Sequence, residues 1–220
     1  MPESRFRCGC CHIRSTHVTP GCPIARRVHH PRGWRDLHPV ANADEIEIMP
    51  LYALGDKSPS IDPTAFVHPD AVVIGDVTVG AESSVWPTAV LRGDHGAIRV
   101  GAATSIQDGT IVHCTKTLDT VVGDRCVVGH NVHLEGCTIE DDCLIGSGSV
   151  VLHRVTVRTG ALVAAQAMVA NGTEVPSRAM ALGIPAKIKL DAVSAGAFND
   201  AVAVYVGNAH WYNAELRRID

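Results

Sequence analysis

Several residues with metal-binding side chains lie close together in an otherwise aliphatic part of this sequence. Residues 128–137 read VGHNVHLEGC, which contains His130, His133 and Glu135, and a further histidine, His113, lies upstream. Imidazole nitrogens and carboxylate oxygens are common ligands of zinc. Whether these side chains can meet depends on the fold of the chain between them.

The composition narrows the class of protein that could carry such a site. The net charge of −4 makes a basic nucleic-acid surface improbable, so we expect no nucleic-acid partner. Aromatic residues make up only 4% of the chain, which favours a narrow core of small and β-branched side chains. No apolar run approaches the roughly 18 residues of a membrane span, and no signal peptide is visible. These features predict a cytoplasmic location with reduced cysteines.

An internal repeat predicts the fold. Aliphatic residues recur every six positions, with a mostly small residue two positions before each of them, and this hexapeptide pattern is typical of a parallel β-helix in which three units make one triangular coil. We expect an all-β fold with about six coils over residues 49–190, and a C-terminal helix packed on the solenoid in residues 191–220. The repeating aliphatic positions are Ile61, Val67, Val73, Val79, Val85, Leu91, Val100, Ile106, Val112, Val122, Val128, Leu134, Ile139, Ile145, Val151, Val157, Val163, Val169 and Val175.

The register of the repeat assigns a role to three cysteines. Cys126, Cys137 and Cys143 each stand two residues before an aliphatic position, in the small inward slot. We therefore predict buried, unreactive thiols and neither metal ligands nor disulfides. Cys114 lies outside that slot, and we expect it to pack against its neighbours.

Residues 1–48 differ from the repeat. They hold four of the eight cysteines, and three of these lie in RCGCCH, which begins at Arg7. A zinc knuckle that includes Cys22 is one interpretation, although the spacing matches no common zinc motif. The other interpretations are a disordered extension, or a wrongly assigned start with Met49 as the true first residue.

The repeat also predicts which candidate ligands meet. His113 directly follows Val112, and Glu135 directly follows Leu134, so both hold the same phase. They lie 22 residues apart, which is one coil plus an insertion of about four residues in CTKTLDT. We expect the two side chains to stack at one corner, about 4.8 Å apart.

His130 has a different phase and belongs near the neighbouring corner. It could join His113 and Glu135 only across a subunit boundary, as in a symmetric trimer of packed solenoids. The phase of His133 differs again, so we leave it out of the ligand set. From the spacing, a shared metal site and ordinary polar corner residues both remain open.

Four ordered runs resemble the γ-class carbonic anhydrase family of left-handed β-helix proteins. They are VWPTAVLRGD, IQDGTIVH, VGHNVHLEGC and LGIPAK, which start at residues 85, 106, 128 and 182. The resemblance implies a homotrimer with zinc, or iron or cobalt, at each subunit interface. It maps the three metal ligands onto His113, His130 and the position of Glu135. It also implies that metal-bound hydroxide hydrates CO₂ to bicarbonate, a small-molecule substrate.

Further site residues follow from the same resemblance. Gln107 matches the family's glutamine that contacts the metal-bound water. Arg92 and Asp94 match an intersubunit ion pair near the site, and Asp108 matches the neighbouring aspartate. A purely structural role at the interface stays open for Arg92, Asp94 and Asp108. His95 is a candidate proton shuttle, because imidazoles titrate near neutral pH.

The main departure from the family is Glu135, which stands where the family has its third histidine. A carboxylate ligand cancels part of the ion's charge and so makes the bound water less acidic. Weak hydration activity is one expectation. The alternatives are a metal-dependent acyl-CoA thioesterase, a hexapeptide acyltransferase and a non-catalytic binding or scaffold trimer.

Overall fold

Residues 50–220 are described by the computed structural model of the chain. The cysteine-rich segment that begins near Arg7 and the proposed start at Met49 lie outside these residues and stay predictions. Within residues 50–220, no helix is long and apolar enough to cross a membrane.

Short parallel strands make up most of the described chain, and one helix follows them. In chain order the elements are β1 (Leu51–Tyr52), β2 (Ser60–Ile61), β3 (Phe66–Val67), β4 (Val72–Val79), β5 (Ser84–Val85), β6 (Val90–Val100), β7 (Ser105–Ile106), β8 (Ile111–His113), β9 (Thr120–Val122), β10 (Val127–Val128), β11 (His133–Glu135), β12 (Thr138–Ile139), β13 (Leu144–Ile145), β14 (Val150–Val151), β15 (Thr156–Val157), β16 (Leu162–Val163), β17 (Met168–Val169), β18 (Glu174–Val175), β19 (Met180–Leu182), β20 (Lys187–Lys189) and α1 (Asn199–Glu215).

The strands form three parallel stacks. The first stack runs β1, β4, β6, β8, β11, β14 and β17, and the second runs β2, β4, β6, β9, β12, β15 and β18. The long strands β4 and β6 turn through a corner and belong to both. The third stack runs from β3 through β5, β7, β10, β13 and β16 to β19, which β20 joins in antiparallel orientation. The predicted parallel β-helix with a C-terminal helix is confirmed.

The solenoid has about seven coils, one more than the sequence predicted. The additional strands lie outside the regular period. At one end Leu51 pairs in register with Val73, and at the other Met180 pairs with Leu162. The six-residue pattern fades there because an end coil is packed by neighbours on one side only.

The axis of the solenoid is filled as the repeat predicts. The aliphatic positions from Val67 to Val175 form one continuous buried cluster, to which Cys114, Cys126, Cys137 and Cys143 also belong. All four thiols are free, as predicted, and burial raises the pKa of Cys137 to about 12, which keeps it protonated at neutral pH.

Two threonine hydroxyls in the inward slot donate hydrogen bonds to the neighbouring coil. Thr104 donates to the carbonyl of Gly123 at 2.7 Å, and Thr110 donates to the carbonyl of Gly129 at 2.8 Å. A buried hydroxyl without a partner would cost stability. These bonds therefore stabilise the stacking of successive coils.

Helix α1 packs on the third stack through an aromatic cluster. Tyr205, Ala209 and Tyr212 lie on one face of the helix and contact Phe66 and Trp86. Ala209 and Tyr212 follow Tyr205 by four and seven residues, which places all three side chains on one face of the helix.

Two large apolar residues of the C-terminal segment are not covered by the solenoid. Trp211 and Leu216 are 55% and 41% exposed. Gly207 lies within α1 and does not interrupt it. Phe66 and Trp86 are thus contacted by one face of the helix.

The core packing predicts a large cost for removing an axial side chain. Ile145 is fully buried between Val128 and Val163 of the adjacent coils, so Ile145→Ala should lower the free energy of unfolding by about 2–5 kcal/mol. Urea denaturation followed by circular dichroism measures this loss. Ile184→Ala is the matched control, because Ile184 is 73% exposed. Equal losses in both variants would contradict the assigned core.

Candidate functional site

The corner between the first and second stacks brings three polar residues into register. His113 is the backbone partner of Arg92 in one adjacent coil and of Glu135 in the other. The predicted stacking of His113 and Glu135 is therefore confirmed. Parallel pairing places equivalent residues of successive coils above one another, and this register is what creates the cluster.

The side chain of His113 lies between two carboxylates. Its Nδ1 lies 3.0 Å from Oε1 of Glu135, and its Nε2 lies 3.1 Å from Oδ1 of Asp94. Arg92 donates to the other oxygen of Asp94. A neutral imidazole has one N–H, so it can donate to only one of these carboxylates, whereas an imidazolium donates to both.

Both carboxylates are held in their charged form. Burial would raise the pKa of Asp94, but hydrogen bonds from His113, Arg92 and the backbone N–H of His95 outweigh it and lower that pKa to about 2. Burial would also raise the pKa of Glu135, but the hydrogen bond with His113 and the nearby imidazoles of His133 and His153 outweigh it and lower that pKa. The corner is therefore anionic unless a cation or a protonated imidazole neutralises it.

Two further histidines reach Glu135, and the sequence analysis assigned neither. Nε2 of His133 lies 3.4 Å from Oε2 of Glu135, and Nε2 of His153 lies 3.5 Å from the same oxygen. That His133 is not a metal ligand stays a prediction, but His133 lies beside Glu135 because residues two apart on a strand face the same side. His153 was not considered, although the repeat places Val151, two residues before it, in register with Leu134, as the structure confirms.

The second group of predicted residues lies at the corner between the third and first stacks. Nδ1 of His130 lies 3.0 Å from Oδ2 of Asp108, and both side chains are about half exposed, at 52% and 47%. Gln107 follows strand β7 at this corner and is only 3% exposed. No hydrogen bond among the described residues links Gln107 or His130 to His113.

The remaining candidates lie beside the corner that carries His113. Cys114 is buried, and its sulfur accepts a hydrogen bond from the N–H of Gly96 at 3.2 Å, which agrees with the predicted packing role. His95 is exposed, and its backbone N–H bonds to Asp94. Lys57 donates to the carbonyls of Asp94 and His95 at 2.8 and 2.9 Å and so anchors this part of β6.

The donors of one chain fit part of a metal site. Across residues 50–220, no three His, Cys, Asp or Glu side chains form a group that could hold an ion. His113 and Glu135 nevertheless place an imidazole nitrogen and a carboxylate oxygen 3.0 Å apart, close to the roughly 3.3 Å between neighbouring ligands in a tetrahedral zinc shell. His130, with Nδ1 bonded to Asp108, keeps Nε2 available. These residue types fit zinc if a second chain completes the set.

A separate cavity of about 550 Å³ lies between four successive corner loops and the segment that leads into α1. Its lining includes Arg125, Asp142, Arg178 and Ser194. None of the predicted site residues lines it, so the cavity and the polar corners are distinct features.

Comparison with known proteins places the chain among hexapeptide-repeat proteins. The family described as "Bacterial transferase hexapeptide (six repeats)" matches residues 119–153. The chain is 47% identical over 138 residues to gamma carbonic anhydrase 2, mitochondrial, of Arabidopsis thaliana, which covers 60% of this chain and 50% of the relative. It therefore spans about half the length of that plant protein.

Two further relatives are matched over most of their length. The chain is 42% identical over 139 residues to the carnitine operon protein CaiE of Escherichia coli strain K12, covering 63% of this chain and 71% of that protein. The crystal structure of a hexapeptide transferase family protein from Anaplasma phagocytophilum superposes with a TM-score of 0.71 and 34% identity, covering 74% of this chain and 98% of that one.

The depressed pKa of Asp94 makes a prediction about stability and pH. An aspartate with a folded-state pKa of about 2 and an ordinary value of 3.8 contributes stability above pH 3.8 that is lost as the pH falls towards 2. Asp94→Asn removes this contribution. The difference in melting temperature between wild type and variant should shrink as the pH falls below about 4.

Thermal melts between pH 2.5 and pH 7 check this prediction. Asp56→Asn is the control, because Asp56 is exposed and its substitution should leave the melting temperature unchanged throughout. A difference for Asp94→Asn that grows on acidification would contradict the assigned hydrogen bonds.

Proposed function

This chain belongs to the γ-carbonic-anhydrase-like family of hexapeptide-repeat β-helix proteins, and from this membership we propose that it is a metalloenzyme that hydrates CO₂ to bicarbonate. The observation that carries the proposal is the pairing of His113 with Glu135 in successive coils, at the corner where the family resemblance maps two of the metal ligands. The 47% identity to a plant gamma carbonic anhydrase supports it.

We place the ion between two chains of a homotrimer. His113 and Glu135 would hold zinc, or iron or cobalt, from one chain, and His130 would complete the set from the next. Partly exposed apolar side chains on the first stack support this assembly, because they lie on the face between the corner of His113 and that of His130 and would be covered by a neighbouring subunit. They are Val90 and Ile111 on one side of His133, and Val150 and Met168 on the other.

The bonded carboxylates orient both histidines. When Asp94 accepts the proton of His113 Nε2, the lone pair of Nδ1 is free and faces the ion's position beside Glu135. Asp108 likewise accepts from Nδ1 of His130 and leaves Nε2 free. Metal-ligating histidines usually donate their other N–H to a carboxylate in this way.

The reaction requires an acidic water, a site for CO₂ and a path for one proton. A bound divalent ion supplies Lewis acidity, which lowers the pKa of a coordinated water. Gln107 would orient the attacking oxygen through its amide, from the corner that also carries His130. The exposed imidazole of His95 would pass the released proton to solvent. Glu135 brings negative charge to the ion, so we expect slower hydration than with three neutral ligands.

Acyl transfer is the second candidate. The His113–Asp94 pair resembles the oriented general base of acyl-transfer enzymes, and a hexapeptide transferase family protein shares the fold over 98% of its length. The same residues would then activate a hydroxyl, an amine or a water against an acyl-CoA thioester. A non-catalytic trimer is the outcome if neither activity is found. The cytoplasm is the proposed location, with mitochondria as the alternative that the plant relative's name suggests.

The shared site can be tested by subunit mixing. His113→Ala and His130→Ala should each abolish zinc binding, because each removes one of three ligands. Co-refolded one-to-one mixtures should regain roughly a quarter of the sites, since an interface with both histidines forms at that frequency in a random trimer. Zinc content by elemental analysis measures recovery, and light scattering checks the oligomeric state. Recovery of no sites by mixed trimers would contradict a shared site.

The charge argument predicts a gain of function. Glu135→His replaces an anionic ligand with a neutral one, so the CO₂ hydration rate at neutral pH should rise by about tenfold for each unit by which the pKa of the nucleophilic water falls. Stopped-flow hydration assays at matched zinc content measure this change, with thioester hydrolysis assayed in parallel. A fully metallated variant with the wild-type rate would show that ligand charge does not limit the reaction, and an active, metal-free wild type would overturn the metal mechanism.

A further inference from the structure

The carboxylate oxygen of Glu135 that faces away from His113 lies near two other histidines. Oε1 lies against His113, whereas Oε2 lies 3.4 Å from Nε2 of His133 and 3.5 Å from Nε2 of His153. One carboxylate therefore meets three imidazoles from three successive coils. The approach of His133 and His153 is at ion-pair distance and is longer than an ordinary hydrogen bond.

The local backbone brings His153 to this position. Leu134 and Val151 are paired although they are 17 residues apart, whereas Ile145 and Val163 in the next stack are 18 apart. The short corner contains Gly136, which has a φ of +60°. A Cβ at Gly136 would lie 3.0 Å from Cβ of Leu118 and 3.2 Å from Cδ2 of His153, both tighter than ordinary contact. The glycine thus makes room for His153.

The imidazole of His153 lacks a hydrogen-bond partner at one of its nitrogens. Its Nε2 is buried and has no hydrogen-bond partner among the described residues. A buried polar atom without a partner is costly, and native structures keep such atoms rarely. Oε2 of Glu135 lies 3.5 Å away, so a shift of about half an ångström would give a normal hydrogen bond.

From this geometry we propose that His133 and His153 are positioning residues for Glu135. They engage Oε2 and so hold Oε1 towards His113 and the metal position. Their N–H groups also draw negative charge towards Oε2 and away from Oε1. This offsets part of the charge that a carboxylate ligand adds where the family has a neutral histidine. The inference rests on the proposed metal site and explains how Glu135 can serve in it.

Zinc affinity of the whole assembly provides the first test. His133→Ala and His153→Ala should each weaken zinc binding by about 10–100-fold in competition with a chromophoric chelator, without changing the oligomeric state. His153→Gln retains an N–H donor and should preserve more of the affinity than His153→Ala. His210→Ala is the matched control, because His210 also contacts a glutamate, Glu82, but lies on α1. Unchanged affinity in both alanine variants would overturn the proposal.

A metal-free measurement separates this inference from the proposed function. In ¹⁵N spectra of the metal-free protein, Glu135→Gln should shift the imidazole nitrogens of His133 and His153 and leave those of His210 unchanged. If the wild type binds no zinc, the metalloenzyme proposal fails. The nitrogen shifts then still decide whether the two histidines hold Glu135, and unshifted resonances would overturn the positioning role.

Discussion

Backbone hydrogen bonds between successive coils are the constraint on which the rest of the structure depends. They hold equivalent residues about 4.8 Å apart along each corner, so a side chain in one coil necessarily meets its counterparts above and below. This places Arg92, His113 and Glu135 in one column, and the same rule puts the aliphatic residues of the repeat in continuous contact along the axis. The core and the polar corners are two consequences of one register.

The column at the first corner concentrates charge in a way that a single coil could not. His113 lies between Asp94 and Glu135, and both carboxylates stay ionised in spite of partial burial because hydrogen bonds and positive charges surround them. The two carboxylates therefore give this corner a negative charge and fix the orientation of the imidazole between them. The hydrogen bonds of His113 with Asp94 and Glu135 also stabilise the corner, because they link neighbouring coils.

Glu135 is the residue at which this chain departs most from the family pattern. A carboxylate brings a charge that a histidine lacks, and it also has a second oxygen that needs partners. The histidines that approach this second oxygen come from the strand that carries Glu135 and from the following coil. The replacement is therefore embedded in a local network and is not an isolated substitution.

Sequence reasoning reached far in this protein because the repeat has a fixed period. The inward positions of Cys126 and Cys143 and the pairing of His113 with Glu135 follow from counting residues, since each unit of the repeat adds one strand and one corner. Counting alone did not identify His153, because its approach to Glu135 depends on the bend of the short corner at Gly136 and on side-chain orientation. The end coils were undercounted because Leu51 and Met180 lie outside the pattern.

The sequence by itself determined the parallel β-helix, its axial core and the column that joins His113 to Glu135, because all three depend on periodicity along the chain. The tertiary structure decided which side chains face each oxygen of Glu135, and that His113 is held between two carboxylates. It also decided that α1 is seated on Phe66 and Trp86 by one face. The physical reason is that corners and helix docking depend on local bends and side-chain rotamers, which leave no period in the sequence.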